Sequence, residues 1–236
     1  PTSSRRQRQM CIRDSNKGTT IIWSLAGSIF SAGLRELVID SVRKNLVDCL
    51  VCTGALFEQD MLEALGYNHY VQTEEIEDKT LQNLLIDRIY DHLLDEIELQ
   101  HVDETYKKIA KQMDSGNYSS REFMEYCGKW LSNVKDANDS VILAAYEMNV
   151  PIFIPAINDC SIGIGLAMNQ SEEKNGISID SIKDLREIAK MKDLCGDSGI
   201  VIVGGGVPKN YSQDSVVMAE MLGYNCLLYT SPSPRD

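Results

Sequence analysis

Residues Asn149 to Leu166 read NVPIFIPAINDCSIGIGL, and the fold turns on how that run is interpreted. Pro151 to Ala156 is short, apolar, and rich in β-branched and aromatic side chains. It fits a buried strand and is too short for a helix. Asn158-Asp159 breaks the run, and Ser161 can cap a following helix. An acid therefore stands at the C-terminal end of a buried strand, facing a helix start. In open α/β sheets that edge is where ligands sit.

Three other stretches repeat the arrangement. Thr19 to Ser24 reads as a strand, followed by Leu25-Ala-Gly-Ser and a helix from Ser28 to Lys44 with apolar residues at helical spacing. Gly27 and Ser28 occupy the turn, where small residues let a ligand approach the backbone and a helix N-terminus favours a phosphate. The plainer alternative is a tight strand-to-helix connection. Val47 to Cys52 is a second strand, leading through Thr53-Gly54-Ala55 into a helix around Phe57 to Leu65. Cys49 and Cys52 form a C-x-x-C, but on a strand they point to opposite faces, so core packing explains them better than redox or zinc chemistry. Glu58, Gln59 and Asp60 open the helix, where acids suit the macrodipole. Gly199 to Val203 is a further buried strand, followed by Gly204-Gly-Gly-Val-Pro-Lys-Asn210 and a helix from Tyr211 to Leu222. Three glycines there mean a sharp bend or a close approach, although the pattern is neither G-x-G-x-x-G nor a P-loop.

Four strands, each running into small or polar residues and then a helix, predict an α/β fold with a Rossmann-like, doubly wound parallel sheet. Between the second and third strands lies a helical insertion, with helices expected over Leu81 to Asp95, Glu98 to Met113, Ser120 to Leu131 and Asp139 to Met148, the last capped by Asp139-Ser140. His69 reads as a structural hydrogen-bonder, and His92 and His101 carry no assigned chemistry. Ser171 to Gly176 is expected to be a loop. Ser181 to Met191 is expected to be a helix whose charges, Lys183, Asp184, Arg186 and Glu187, form a solvated face. The residues alone support a nucleotide-type ligand at the strand ends, with Asp159 as a candidate for a ribose or amide contact; they do not reach a reaction.

Composition narrows the class. With 236 residues, 43% of them hydrophobic, the chain can bury a real core. No run of 18 apolar residues supports a membrane span, and no secretion signal is visible. Seven cysteines, an odd number scattered through apolar segments, point to a reducing, cytoplasmic setting. Both ends match their neighbours poorly: Pro1 to Ser15 and Cys226 to Asp236 resemble translated sequencing-adapter sequence, which leaves residues 16–225 as the domain. The first fifteen residues hold four Arg and one Asp, so removing their +3 from the net charge of −12 leaves −15 for the rest. A nucleic-acid arm is then not a sound inference, whereas an acidic body attracts cations such as polyamines.

The segments SLAGSIFSAGL, VCTGALFEQDMLEALG, NVPIFIPAINDCSIGIG and VIVGGGVPKN occur in this order. With that spacing the chain resembles the deoxyhypusine synthase family, and especially its bacterial deoxyhypusine synthase-like branch, from Thr19 to Asn225. The resemblance implies an NAD-dependent homotetramer that oxidises spermidine, cleaves off an aminobutyl group, holds it as an imine on an enzyme lysine, and passes it to a lysine of a translation factor or, in related enzymes, to putrescine. It also implies that Gly27, Ser28 and Ser31 form one NAD-contacting turn and Thr53, Gly54 and Ala55 a second. Asp159 is then the acid on the cofactor, with Gly205 beside it. Glu58 and Gln59 match a pair that is two glutamates in the eukaryotic enzyme, one of which contacts polyamine. Asn210 stands where that enzyme has a polyamine-contacting histidine, and Ile164 where it has an acid. These departures leave other amine donors or acceptors open, agmatine among the donors. The family's Ser-Trp-Gly-Lys, which carries the catalytic lysine, does not occur in the sequence. The expectation is a fragment that forms no aminobutyl imine, or alternatively a non-catalytic NAD-binding or partner subunit.

Overall fold

The computed structural model describes residues 19–172, 176–195, 197–224 and 228–230. Residues 1–15 lie outside that set, as do 173–175 of the expected loop and all of 226–236 except 228–230. β1 (Thr20–Leu25) leads through a one-turn π-helix (Phe30–Leu34) into α1 (Arg35–Arg43), and β2 (Cys49–Cys52) leads into α2 (Gly54–Ala64). Then come β3 (Tyr70–Val71), α3 (Asp78–Asn83), β4 (Ile86–Ile89), β5 (His92–Asp95), α4 (Glu96–Lys111), β6 (Gly116–Tyr118), α5 (Ser120–Leu131) and α6 (Val141–Met148). β7 (Ile152–Phe153), α7 (Ser161–Glu172), β8 (Ile177–Ile179), α8 (Ser181–Cys195), β9 (Ser198–Val203), α9 (Gly206–Met221) and β10 (Leu228–Thr230) follow.

The main sheet has the order β10-β9-β1-β2-β7 and is parallel throughout. β1 is central: Ile22 stands opposite Cys49 on one side and Ile200 on the other. The chain winds outward from β1 through β2 and β7, then returns to place β9 and β10 on the other side, so the sheet is doubly wound as expected. Alternation along the strands feeds two layers. Ile21, Trp23, Leu25, Leu50, Cys52 and Ile152 join the large core beneath α1, α2 and α6. Ile22, Cys49, Val51 and Phe153 pack on the opposite face with Ile188 of α8 and Tyr211 of α9. The two cysteines of the C-x-x-C thus enter different layers, and burial pushes the Cys52 thiol well above its ordinary range.

The insertion is less helical than expected. In place of one helix over Leu81 to Asp95 there is the short α3 and then the hairpin β4–β5, which with β3 makes a second, antiparallel sheet. Leu84 and Leu85 are 61% and 50% exposed whereas Leu81 and Leu94 are buried, so these apolar residues do not form one helical stripe on the core. Leu85 and Tyr90 both have left-handed backbones, with φ of 56° and 58°, which no helix interior accommodates. Asp95, expected inside the helix, instead caps α4 by accepting from Ile97 N at 2.7 Å.

The charges of α8 are a second departure. Asp184 is buried, with Oδ1 accepting from Ser120 N at 2.7 Å. Glu187 accepts from Ser119 Oγ at 2.9 Å and from Arg121 Nε at 2.7 Å. Three residues of α8, with Lys183 on Glu122 at 2.5 Å, therefore fasten it to the start of α5. Burial raises the Asp184 carboxyl to about 6. A carboxyl raised on folding contributes stability that is fully present below its unfolded value near 4 and is lost as pH rises through about 6. We expect Asp184 to raise Tm as pH falls from 7.5 to 5, contributing about 1.4 kcal/mol over that range because only about one pH unit of it lies below the raised value of about 6. Asp184→Asn should flatten that rise in a calorimetric pH series; an unchanged pH profile in the variant would refute the assignment.

Candidate functional site

The C-terminal ends of β1, β2 and β9 are stitched together just beyond the ladder. Ala26 N donates to Val203 O at 2.9 Å, and Thr53 N donates to Leu25 O at 3.1 Å. Thr53 Oγ1 donates to Gly27 O at 3.4 Å, joining the first two turns. Gly204 has φ of 83°, and a Cβ there would lie 3.0 Å from Ala26 O, so the third turn must be glycine to approach the first. Gly27, at φ 82°, and Gly205 face open space.

The fourth turn, after β7, is joined to the second by contact. A Cβ on Gly54 would fall 2.2 Å from Cys160 Sγ, so the loop carrying Asp159 lies directly on the first residue of α2. Asp159 is exposed in that turn, its N–H donating to Ala156 O at 3.1 Å. Ser28 and Ala55 are half-buried, and Ser31 is buried in the π-turn. Ser31 Oγ has no hydrogen-bond partner, the Thr53 side chain does not cap α2, and α9 follows Gly205, which has no side chain to cap it. Two helix N-termini without a side-chain cap therefore stand on the same edge of the sheet.

Glu58 and Gln59 diverge. Gln59 is buried, and its Oε1 accepts from Ser31 N at 3.1 Å, so it holds the π-turn in place. Glu58 Oε2 accepts from Ser161 N at 2.9 Å at the start of α7. Burial is the chief cause raising the Glu58 carboxyl above its usual range, and the charges of Asp103 and Asp159 add to it. Asp103, also raised chiefly by burial, hydrogen-bonds with Ser161, so two carboxyls meet at that helix start. Asn210 is exposed in the second turn of α9. Ile164 is half exposed on α7. Asp103 carries no local signature in the sequence; only the packing of α4 on α7 brings it to this edge.

Asp60 has a role that its place in the first turns of a helix does not suggest. It is fully buried, accepting from Arg35 Nε at 2.8 Å, Val141 N at 2.9 Å and Ile142 N at 2.9 Å. Arg35 also reaches Glu63 at 3.1 Å and the carbonyl of Asp139. The ion pair fixes α2, α1 and the start of α6 to one another behind the strand ends. Among the described residues, no three His, Cys, Asp or Glu side chains converge as a metal site, and no helix is long and apolar enough to cross a membrane.

The sequence model of deoxyhypusine synthase matches residues 4–235. The chain is 46% identical over 215 residues to a deoxyhypusine synthase-like protein of Chlorobaculum parvum, covering 90% of this chain and 61% of that protein. A protein of the same description from Elusimicrobium minutum is 44% identical, with 89% of this chain and 56% of the relative covered. The chain thus spans about 60% of the length of these curated relatives. A crystal structure from Entamoeba histolytica, described as a deoxyhypusine synthase, superposes with a TM-score of 0.59 at 22% identity, covering 87% of this chain and 67% of that one. AgrE in ternary complex with ornithine and NAD+ superposes at TM-score 0.52 and 15% identity, covering 86% of this chain and 24% of AgrE. At those identities the two structures speak for the fold alone.

Proposed function

The chain belongs to the deoxyhypusine synthase family, and from that premise we propose that it serves NAD-dependent transfer of an aminobutyl group from spermidine or a related amine to a protein lysine. The observation that carries the proposal is the meeting of four strand ends at one edge, with two uncapped helix N-termini and the orphaned Ser31 Oγ among them. These features fit a dinucleotide. The N-termini of α2 and α9 suit its phosphates, Gly27 and Gly205 leave room for close approach, and exposed Asp159 suits a ribose or amide donor. NAD, when bound, takes and returns a hydride. The chain's own residues orient that cofactor, and Glu58 supplies negative charge toward a cationic amine. A cytoplasmic homotetramer acting on a translation factor is the assembly and acceptor that go with this reading.

One observation favours a second reading. Gln59, standing where a glutamate would strengthen cation binding, has its carbonyl oxygen committed to Ser31. Transfer to a small amine, as in homospermidine formation, or NAD binding without catalysis is therefore the alternative. The family's Ser-Trp-Gly-Lys is not among these residues. Accordingly, borohydride treatment with NAD and spermidine should leave no covalent adduct on this chain.

Calorimetric titration tests the cofactor. Saturable NAD binding is expected, with Asp159→Ala weakening it tenfold or more, equivalent to about 1.4 kcal/mol. Absence of saturable binding in the unsubstituted chain, or equal affinity in Asp159→Ala, overturns the assignment.

A further inference from the structure

α8 and α9 pack on the face of the sheet that carries Ile22 and Val51, and between the two helices lies a cavity of about 580 Å³. One wall is a stripe of α8: Lys183, Arg186, Glu187 and Lys190 stand three and four residues apart, with Asp180 just before them. The other wall is apolar and comes from the end of α9, with Met218, Leu222 and Tyr224. The turns at the strand ends contribute none of these residues.

The acids of the polar wall are committed within the fold. Asp180 Oδ1 accepts from Ile182 N at 2.9 Å and from Lys183 N at 3.0 Å, at the start of α8. Glu187 is held by Ser119 Oγ and Arg121 Nε. Lys183 is neutralised by Glu122 at 2.5 Å. Arg186 and Lys190 differ: both are exposed, and among the described residues neither meets a carboxylate. Arg35, Arg43, Arg88 and Arg121 each hold one at 2.5 to 2.8 Å, so Arg186 is the exception among the described arginines. The chain has 35 acidic and 23 basic side chains, so a shortage of carboxylates does not explain it.

Two unpaired cations one helical turn apart match a doubly charged head group. A phosphate monoester, whose second ionisation lies at about 6, carries that charge above neutral pH. The guanidinium fork of Arg186 suits two phosphate oxygens, and Lys190 supplies a point charge beside it. The second wall suits an apolar substituent, with Met218 adaptable in shape and Tyr224 offering an aromatic ring. The volume lies within the range of whole small-molecule sites.

We propose that the cavity between α8 and α9 binds an organic phosphate monoester with an apolar substituent. Arg186 and Lys190 hold the phosphate, and Met218, Leu222 and Tyr224 hold the substituent. The site goes beyond the aminobutyl-transfer reading and does not depend on it.

Calorimetric titration of the full chain at pH 8 with phenyl phosphate tests the site, with inorganic phosphate, benzoate and benzyl alcohol as controls. Phenyl phosphate should bind saturably and about tenfold or more tighter than any control. Arg186→Gln and Lys190→Gln, both at exposed positions, should each weaken it about tenfold while leaving Tm and NAD affinity unchanged. The Met218 methyl resonance should shift as phenyl phosphate is added. Saturating NAD should leave phenyl phosphate bound. Absence of saturable binding, equal affinity in the two substituted chains, a control that binds as tightly, an unmoved Met218 methyl, or displacement by NAD each overturns the proposal; displacement puts the anion at the strand ends instead. Absence of NAD binding with phenyl phosphate binding intact overturns the cofactor reading alone, so the two failures are distinct.

Discussion

Asp60→Ala is expected to cost about 3–5 kcal/mol of folding stability, the loss typical when one partner of a buried ion pair is removed. The substitution leaves the Arg35 guanidinium buried against nothing of opposite charge on that side. It also orphans two backbone donors, Val141 N and Ile142 N, at the start of α6. Equilibrium urea unfolding measures the loss, and a change below about 1 kcal/mol would show that Asp60 is not the knot described here. Replacing both partners with apolar residues often restores stability for a simple buried pair. Here Arg35→Met with Asp60→Leu should not, because the two N–H groups of α6 would remain unpaired. Asp60→Asn should fall between, since an amide oxygen can still accept one of them.

Gly165→Val should be nearly as damaging, for a steric reason. A Cβ at Gly165 would sit 2.7 Å from Asp103 O and 2.9 Å from Lys107 N, both backbone atoms of α4. Neither can swing aside as a side chain would, so α4 and α7 must separate. Overpacking of this kind costs about 1–3 kcal/mol or somewhat more, or roughly 5–10 °C in Tm for a domain of this size. The same displacement moves Ser161 away from Glu58 and Asp103, so amine affinity should fall together with Tm. Ala167→Val, exposed on the same helix, is the control and should stay within about 0.5 kcal/mol. If Gly165→Val melts where the control does, the close helix crossing is not what the glycine serves.

The parallel sheet was legible because its strands are buried on both faces and read as continuous apolar runs bounded by small residues. Ile200 to Val203 and Cys49 to Cys52 can hardly be anything else. The β4–β5 hairpin was not legible: Leu81, Leu84, Leu85 and Ile89 fall at helical spacing, and only the left-handed Leu85 and Tyr90 break it, at residue types that rarely do so. Asp184 and Asp60 were read from local position, as surface charge and as a dipole partner. Their actual partners, Ser120, Arg35 and the start of α6, are between 25 and 82 residues away in sequence, where periodicity carries no information. Around the candidate site, the turn glycines could be picked out because left-handed or crowded backbone demands them. That Gln59 faces the π-turn while Glu58 faces α7 depends on helix rotation, which no motif encodes.

The central place of β1 has a consequence for how the protein is made. Four of its six residues, Ile22 to Leu25, pair with β2, which follows soon after in the chain, but the neighbour of all six, β9, is synthesised almost 180 residues later. While the nascent chain lengthens on the ribosome, Ile22 and its neighbours present an apolar strand with one unsatisfied edge. Contacts so distant in sequence close slowly, and an open edge in the interval invites pairing with the wrong chain. The turn that Gly204 closes against Ala26 cannot exist before that step. The candidate-site edge is therefore among the last features to form, and the interval before β9 arrives is when the open edge of β1 is most exposed to wrong pairing.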